Sequence, residues 1–207
     1  MVASICAAPS IASAKTTPYV RVAGGLGMAQ NTDAKMTDGT ELKDVLEWKS
    51  GAAFEGAVGA KMDMFRAEVA FGYQSADLDK FTVGGGSITG DALEAAGVTL
   101  SESVFSVMVN AYADFDIDGG VTPYLMGGVG YANVDLKVDG DLLNGPVSSS
   151  NSAFAWQIGA GVGVKAAENI TVDLGYRYFV TADVDGGDGV KLNCGASNIL
   201  LGLRYDF

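Results

Sequence analysis

The chain has 207 residues, suited to one domain, and its 29 glycines against four prolines favour a sheet protein over a helix bundle. A formal net charge of −12 with no cluster of Lys and Arg excludes a nucleic-acid surface, and the absence of histidine removes imidazole from any catalytic or metal-binding scheme. No apolar run of about 18 residues follows Ala14, so a membrane could be crossed only by strands.

Met1 to Ala14 carry no charge and end in Ala12-Ser13-Ala14, the small-x-small pattern that signal peptidase reads. Residues 1–14 are therefore expected to be a signal peptide and 15–207 the folded domain. The basic n-region that should open such a segment is missing, which points to a start placed too late or to a shortened n-region. Cys6 falls in the removed segment, and Cys194, left alone, is expected to be inert.

From Tyr19 the chain resolves into eight segments of alternating polarity. In the first, Tyr19 to Met28, Val20, Val22, Leu26 and Met28 oppose Arg21, Ala23, Gly25 and Gly27. The second, Ala53 to Lys61, sets Phe54, Val58 and Ala60 against Glu55, Ala57, Gly59 and Lys61, and Met62-Asp63 turns directly into the third. There Phe65, Ala67, Val69, Phe71 and Tyr73 alternate strictly with Arg66, Glu68, Ala70, Gly72 and Gln74, a period of two that no helix presents.

The fourth, Val104 to Phe115, opposes Phe105, Val107 and Val109 to Asn110, Tyr112 and Asp114, and the fifth, Pro123 to Tyr131, opposes Leu125 and Val129 to Tyr124 and Met126. The sixth, Phe154 to Val164, puts Trp156, Ile158 and Val162 against Gln157, three glycines and the following Lys165. In the seventh, Ile170, Val172, Leu174, Tyr176 and Tyr178 face away from Asp173 and Arg177. The eighth sets Ile199, Leu201, Leu203, Tyr205 and Phe207 against Gly202, Arg204 and Asp206.

Connections alternate in length: long near 29–52, 75–103, 132–153 and 180–197, short near 62–63, 116–120 and 166–169. Short periplasmic turns, long extracellular loops and an even strand count are the plan of a transmembrane barrel. The expected fold is all-β, an eight-stranded antiparallel up-and-down transmembrane β-barrel. Thr40 to Trp48 is expected to form a short helical turn in the first long loop, with Leu42, Val45 and Leu46 on one face.

An Arg or Lys on the lipid face near the midplane costs about 2–4 kcal/mol, so charges fix each strand's phase. Eleven can point inward together: Arg21, Glu55, Lys61, Arg66, Glu68, Asp114, Lys165, Asp173, Arg177, Arg204 and Asp206. Each strand's phase is a free choice, so the charges alone amount to a coincidence of about one in sixteen. More weight falls on the opposite phase, which is almost wholly apolar, with Tyr19, Tyr73, Tyr131, Trp156, Tyr178, Tyr205 and Phe207 near strand ends, where interface girdles lie. A soluble sandwich or lipocalin-like barrel would need the inverse polarity, and glycines with paired charges cannot fill such a core. They can fill the lumen of eight strands, as a salt-bridged plug.

The runs Pro123-Tyr124-Leu125-Met126-Gly127-Gly128-Val129-Gly130-Tyr131, Leu174-Gly175-Tyr176-Arg177-Tyr178 and Leu201-Gly202-Leu203-Arg204-Tyr205-Asp206-Phe207 resemble the small outer-membrane β-barrel family of bacterial surface antigens and OmpA-like transmembrane domains. The resemblance covers about residues 18–207 and rests on folding motifs. It implies the outer membrane of a Gram-negative bacterium, and an assembly signal at Leu201, Leu203, Tyr205 and Phe207 read by the barrel-assembly machinery. No peptidoglycan-binding domain follows Phe207, a departure from the full OmpA plan that puts cell-wall tethering in doubt.

The long loops hold 16 acids and 6 bases, −10 of the total −12. This charge is read as solvating rather than cation-binding. Asp183 to Gly189 imitates a calcium loop, but Cys194 stands where a bidentate Glu belongs. Barrel enzymes of similar architecture use a catalytic histidine, which leaves only schemes such as Ser–Lys open. The expectation is a non-enzymatic surface or structural barrel, with no cofactor or metal, acting as a monomer among outer-membrane lipid and lipopolysaccharide, its host or surface ligand unspecified. The alternative is a narrow porin-like channel or carrier for ions or small apolar solutes.

Overall fold

The computed structural model describes residues 16–30, 32–35, 41–83, 86–95, 98–117, 119–140, 147–182, 184–185, 191–192 and 195–207. In chain order the elements are β1 (Thr16–Ala29), β2 (Thr32–Lys35), β3 (Glu41–Trp48), β4 (Ser50–Met62), β5 (Phe65–Val83), β6 (Gly86–Thr89), α1 (Gly90–Ala95), β7 (Val98–Asp114), β8 (Val121–Gly140), β9 (Val147–Lys165), β10 (Ile170–Thr181), β11 (Val184–Asp185), β12 (Lys191–Leu192) and β13 (Gly195–Asp206). The signal-peptide segment, Cys194 and most of the Asp183–Gly189 run lie outside the described residues.

Eight strands close on themselves. β1 pairs with β4, β4 with β5, β5 with β7, then β8, β9, β10 and β13 follow in turn, and β13 returns to β1 with Arg21 opposite Arg204 and Val22 opposite Leu203. Every pairing is antiparallel, so no barrel edge is left open at membrane depth, where each unpaired backbone group would cost several kcal/mol. The short turns are made by residues suited to them: Asp63 takes φ of 51°, and Gly119 and Gly120 take 98° and 79°, the left-handed region.

Alternation fixes what each face meets. In β5 the outward Phe65, Val69, Phe71 and Tyr73 are all exposed, while the inward Arg66, Glu68 and Ala70 are buried. From Phe65 to Tyr73 the strand runs about 27 Å, or about 21 Å along the axis at a tilt of about 40°, close to the height of an outer-membrane apolar band. Aromatic pairs flank that band. Tyr131 and Phe154 meet edge-on at 6.1 Å, as do Tyr205 and Phe207 at 5.2 Å, and Trp156 lies tilted against Tyr178 at 6.0 Å.

Four expectations are corrected. Tyr19 belongs to no girdle: it sits on the same phase as Arg21 and is 1% exposed, inside the lumen. The span expected to turn helically is strand β3, whose Leu46 and Trp48 pair with Phe81 and Leu78 of β5, so sheet pairing overrides the local helical pattern. Several strands run beyond the segments read from alternation; β8 and β9 stay paired to Val138 opposite Val147, above the apolar band, where polar outward residues hid them. Conversely, Phe115 and Phe207 lie just past strand ends.

Beyond the barrel, the upper part of β5 leaves β7 and pairs instead with β3 and β6, which together with β2, β12 and β11 form a second small sheet from the long connections. The helix α1 was not foreseen. Lys49 Nζ donates to Asp91 of α1 at 2.7 Å, and this ammonium holds the exposed Asp91 carboxyl below the usual aspartate range.

Candidate functional site: the lumen

The pleat that sends apolar side chains to lipid sends every second residue to the axis, and an eight-stranded barrel is only wide enough for those side chains to touch. Glu55 of β4 stands between two guanidiniums, ion-paired with Arg21 of β1 and Arg177 of β10. Arg21 also reaches Asp173, Nε to Oδ2 at 3.2 Å and Nη2 to Oδ1 at 3.3 Å, and Tyr124 donates to the same Oδ1 at 3.2 Å. Arg177, 2% exposed, donates through Nη2 to the Tyr112 hydroxyl at 3.2 Å.

Glu68 is held differently. It accepts from the Tyr19 hydroxyl at 2.9 Å, Asn110 Nδ2 at 3.1 Å and the Tyr112 hydroxyl at 2.5 Å, three neutral donors in place of a base. Gln157 Nε2 extends the chain to Asn110 Oδ1 at 2.7 Å. Seven strands are thereby tied across the barrel through one connected set of polar contacts, and a buried charge is tolerable only when satisfied in this way.

Toward the periplasmic end, Arg66 Nε donates to both oxygens of Asp114 at 2.8 and 3.0 Å, and its guanidinium lies 4.1 Å from the Tyr112 ring centre and 5.2 Å from that of Tyr124. Lys61 Nζ is 3.8 Å from the same Asp114. Arg204 Nε lies 3.0 Å from Asp206 Oδ1, although that N–H is not directed at the oxygen, and Arg204 Nη2 donates to Thr171 at 3.4 Å. Lys165 stays apart: it is exposed at the periplasmic rim and has no ionic partner among the described residues. With Lys165 outside, Arg21, Lys61, Arg66, Arg177 and Arg204 stand five against five with Glu55, Glu68, Asp114, Asp173 and Asp206 among the charges read from the sequence, and Glu102 adds a further acid near the extracellular mouth.

Neutral partners were missed when only charges were counted. Tyr112, Tyr124, Asn110 and Gln157 all sit on the inward phase, which was the available signal. Their rings need glycine beside them: a Cβ on Gly59 would fall 2.6 Å from Tyr19 Cζ, and one on Gly161 would strike the Tyr124 ring. Glu102, assigned to a loop from sequence, is 6% exposed and lines the lumen near its extracellular mouth. Among the described residues no group of His, Cys, Asp and Glu is arranged to hold a metal.

The outer membrane protein beta-barrel domain family matches the chain over residues 1–207. The chain belongs to that family. It is therefore an outer-membrane β-barrel of a Gram-negative bacterium. It is 34% identical over 117 residues to the outer membrane protein PagN of Salmonella typhimurium, an alignment that spans 48% of either chain, so it covers about half the length of that relative. In fold it is similar to Neisserial surface protein A, at 19% identity and a TM-score of 0.60 over 92% of this chain and 97% of that one. It is likewise similar to a major outer membrane protein of Thermus thermophilus, at 15% identity and a TM-score of 0.62 over 93% and 100%.

Proposed function

We propose that the barrel is a non-enzymatic surface or structural protein of the outer membrane, its lumen closed by the ion-pair network and its acidic extracellular part offered to the surroundings. The observation that supports this reading is the Arg21–Glu55–Arg177 and Arg21–Asp173 set, which spans the lumen from β1 and β4 to β10, as a plug of side chains would. Working partners are outer-membrane lipid and lipopolysaccharide, with the barrel a monomer. The outward strip Leu201, Leu203, Tyr205 and Phe207 serves as the signal for the barrel-assembly machinery; it presents a continuous apolar line at the closing strand.

Planar-bilayer recording of the refolded full chain tests the plug, and the expected result is no steady single-channel current. Deleting the extracellular connections should leave insertion intact. Steady currents would overturn the closed reading in favour of a narrow channel or carrier, as would loss of uptake of a defined solute on loop deletion.

A further inference from the structure

The barrel wall is not of one height. The neighbours β10, β13, β1 and β4 have 12 to 14 residues each, whereas β5, β7, β8 and β9 have 17 to 20. The four longer strands stand side by side and continue past the apolar band on the extracellular side. There β5 stays paired with β7 as far as Asp77 opposite Ser101, and β7 with β8 as far as Val98 opposite Gly140. Strands about 4.8 Å apart make this raised sheet about 14 Å wide.

On the outward phase of these strands the chemistry changes within one step. Tyr73 of β5 is followed by Ser75 and Asp77, and Phe105 of β7 is preceded by Ser103 and Ser101. Tyr131 of β8 gives way to Asn133, Asp135 and Lys137, and Phe154 of β9 to Ser152 and Ser150. The register lays these side by side, Ser75 opposite Ser103, Ser103 opposite Asp135 and Asp135 opposite Ser150. Asn133 organises the two serines of β9: its Nδ2 donates to Ser152 Oγ at 3.1 Å, and its Oδ1 accepts from Ser150 at 3.0 Å. Ser152 thereby keeps a hydroxyl proton to give, and Ser150 keeps lone pairs to accept. The shorter wall offers little of this. Above Tyr178 of β10 stands Val180, above Phe54 of β4 stand Ala52 and Ser50, and Ser197 of β13 and Gln30 are already bonded to Tyr176 and Tyr178.

We propose that the outward face of the taller wall is a docking surface for the saccharide head of the outer-leaflet glycolipid, seated on the patch formed by Ser103, Asn133 and Ser150. Continuity with the lipid-facing wall carries the assignment. The patch extends the same phase of the same strands, so a molecule whose acyl chains touch Phe105, Tyr131 and Phe154 places its head there, and exposed aromatics of this kind mark the interface level. Sugar hydroxyls both donate and accept, as serine hydroxyls and carboxamides do. Anionic heads are read instead by clusters of about four to eight Lys and Arg. The described part of this face has Lys137 as its one base, set against Asp77 and Asp135, so it holds sugar rather than phosphate. The inference rests on lipopolysaccharide being a partner of the barrel, as proposed above, and not on the closed lumen.

The test is photo-cross-linking of the refolded full chain in phospholipid nanodiscs titrated with rough lipopolysaccharide. A photoreactive probe is placed in turn at Asp77 and Lys137, which flank the patch, at Ser50 and Gln30 on the shorter wall, and at the lipid-facing Ile199, which reports glycolipid contact of any kind. Saturable labelling at Asp77 and Lys137, at least fivefold above that at Ser50 and Gln30, is expected, and dephosphorylated lipopolysaccharide should label equally well. Combining Ser103→Ala, Asn133→Ala and Ser150→Ala should raise the half-saturating concentration at least tenfold as read at Lys137. Equal labelling of both walls, loss of labelling on dephosphorylation, cross-links to a second copy of the chain in place of glycolipid, or parent-like saturation by the triple variant would each overturn the docking surface. Labelling at Ile199 would then still leave lipopolysaccharide a partner, whereas no labelling at any of the five positions would overturn both the surface and the partner it rests on.

Discussion

Glu55→Gln probes the plug where it is most concentrated, because one carboxylate there serves two buried guanidiniums. In the variant Arg21 keeps Asp173 at 3.2 Å, but Arg177 retains the neutral Tyr112 hydroxyl and is 2% exposed. Removing one partner of a buried pair costs about 3–5 kcal/mol, chiefly because the other charge is stranded. At about 1.4 kcal/mol per decade, the unfolding equilibrium should move by roughly two to three and a half decades. Urea unfolding of the full chain in lipid vesicles, followed by tryptophan fluorescence, reads this directly. Glu55→Gln combined with Arg177→Met strands no charge and should recover most of the loss. A single variant within about 1 kcal/mol of the parent, or a double variant less stable than the single, would contradict the role given to Glu55.

The other predictions concern the two walls of the barrel. Leu203→Arg puts a cation on the lipid face and should cost about 2–4 kcal/mol in the same unfolding assay, whereas Leu203→Phe should stay within about 1 kcal/mol. Gly161→Val drives a side chain into Tyr124 and the Leu174 carbonyl and should destabilise by about 1–3 kcal/mol, read as a lower urea midpoint. Deleting Phe207 removes a ring contact with Tyr205 and an N–H donated to the Pro18 carbonyl at 3.0 Å. Refolding in detergent should therefore be little changed, while the amount reaching the outer membrane in cells should fall severalfold.

Alternation made the barrel legible, and β5 shows why: with Phe65 to Tyr73 on one phase and Arg66 to Gln74 on the other, only one register keeps charge out of lipid. The same rule placed Arg21, Glu55, Asp173 and Arg177 inward, though not who bonds to whom, since partners come from strands up to 152 residues apart. Tyr19 was misplaced because aromaticity near a strand end was weighed above phase; its position two residues before Arg21 was the better guide. Outside the band the constraint disappears. Water satisfies either face there, so the upper reaches of β8 and β9, and β3 with its mixed Glu41–Trp48 sequence, carry no alternation to read.

Most directly, a fluorophore attached in turn to each position from 65 to 74 of the full chain in vesicles containing brominated lipid would read polarity across one strand. Strong quenching at 65, 67, 69, 71 and 73 with weak quenching at 66, 68, 70, 72 and 74 is the predicted result. Quenching with the opposite phase, or equal at all ten positions, would contradict a barrel whose apolar side chains face lipid and whose charges meet inside.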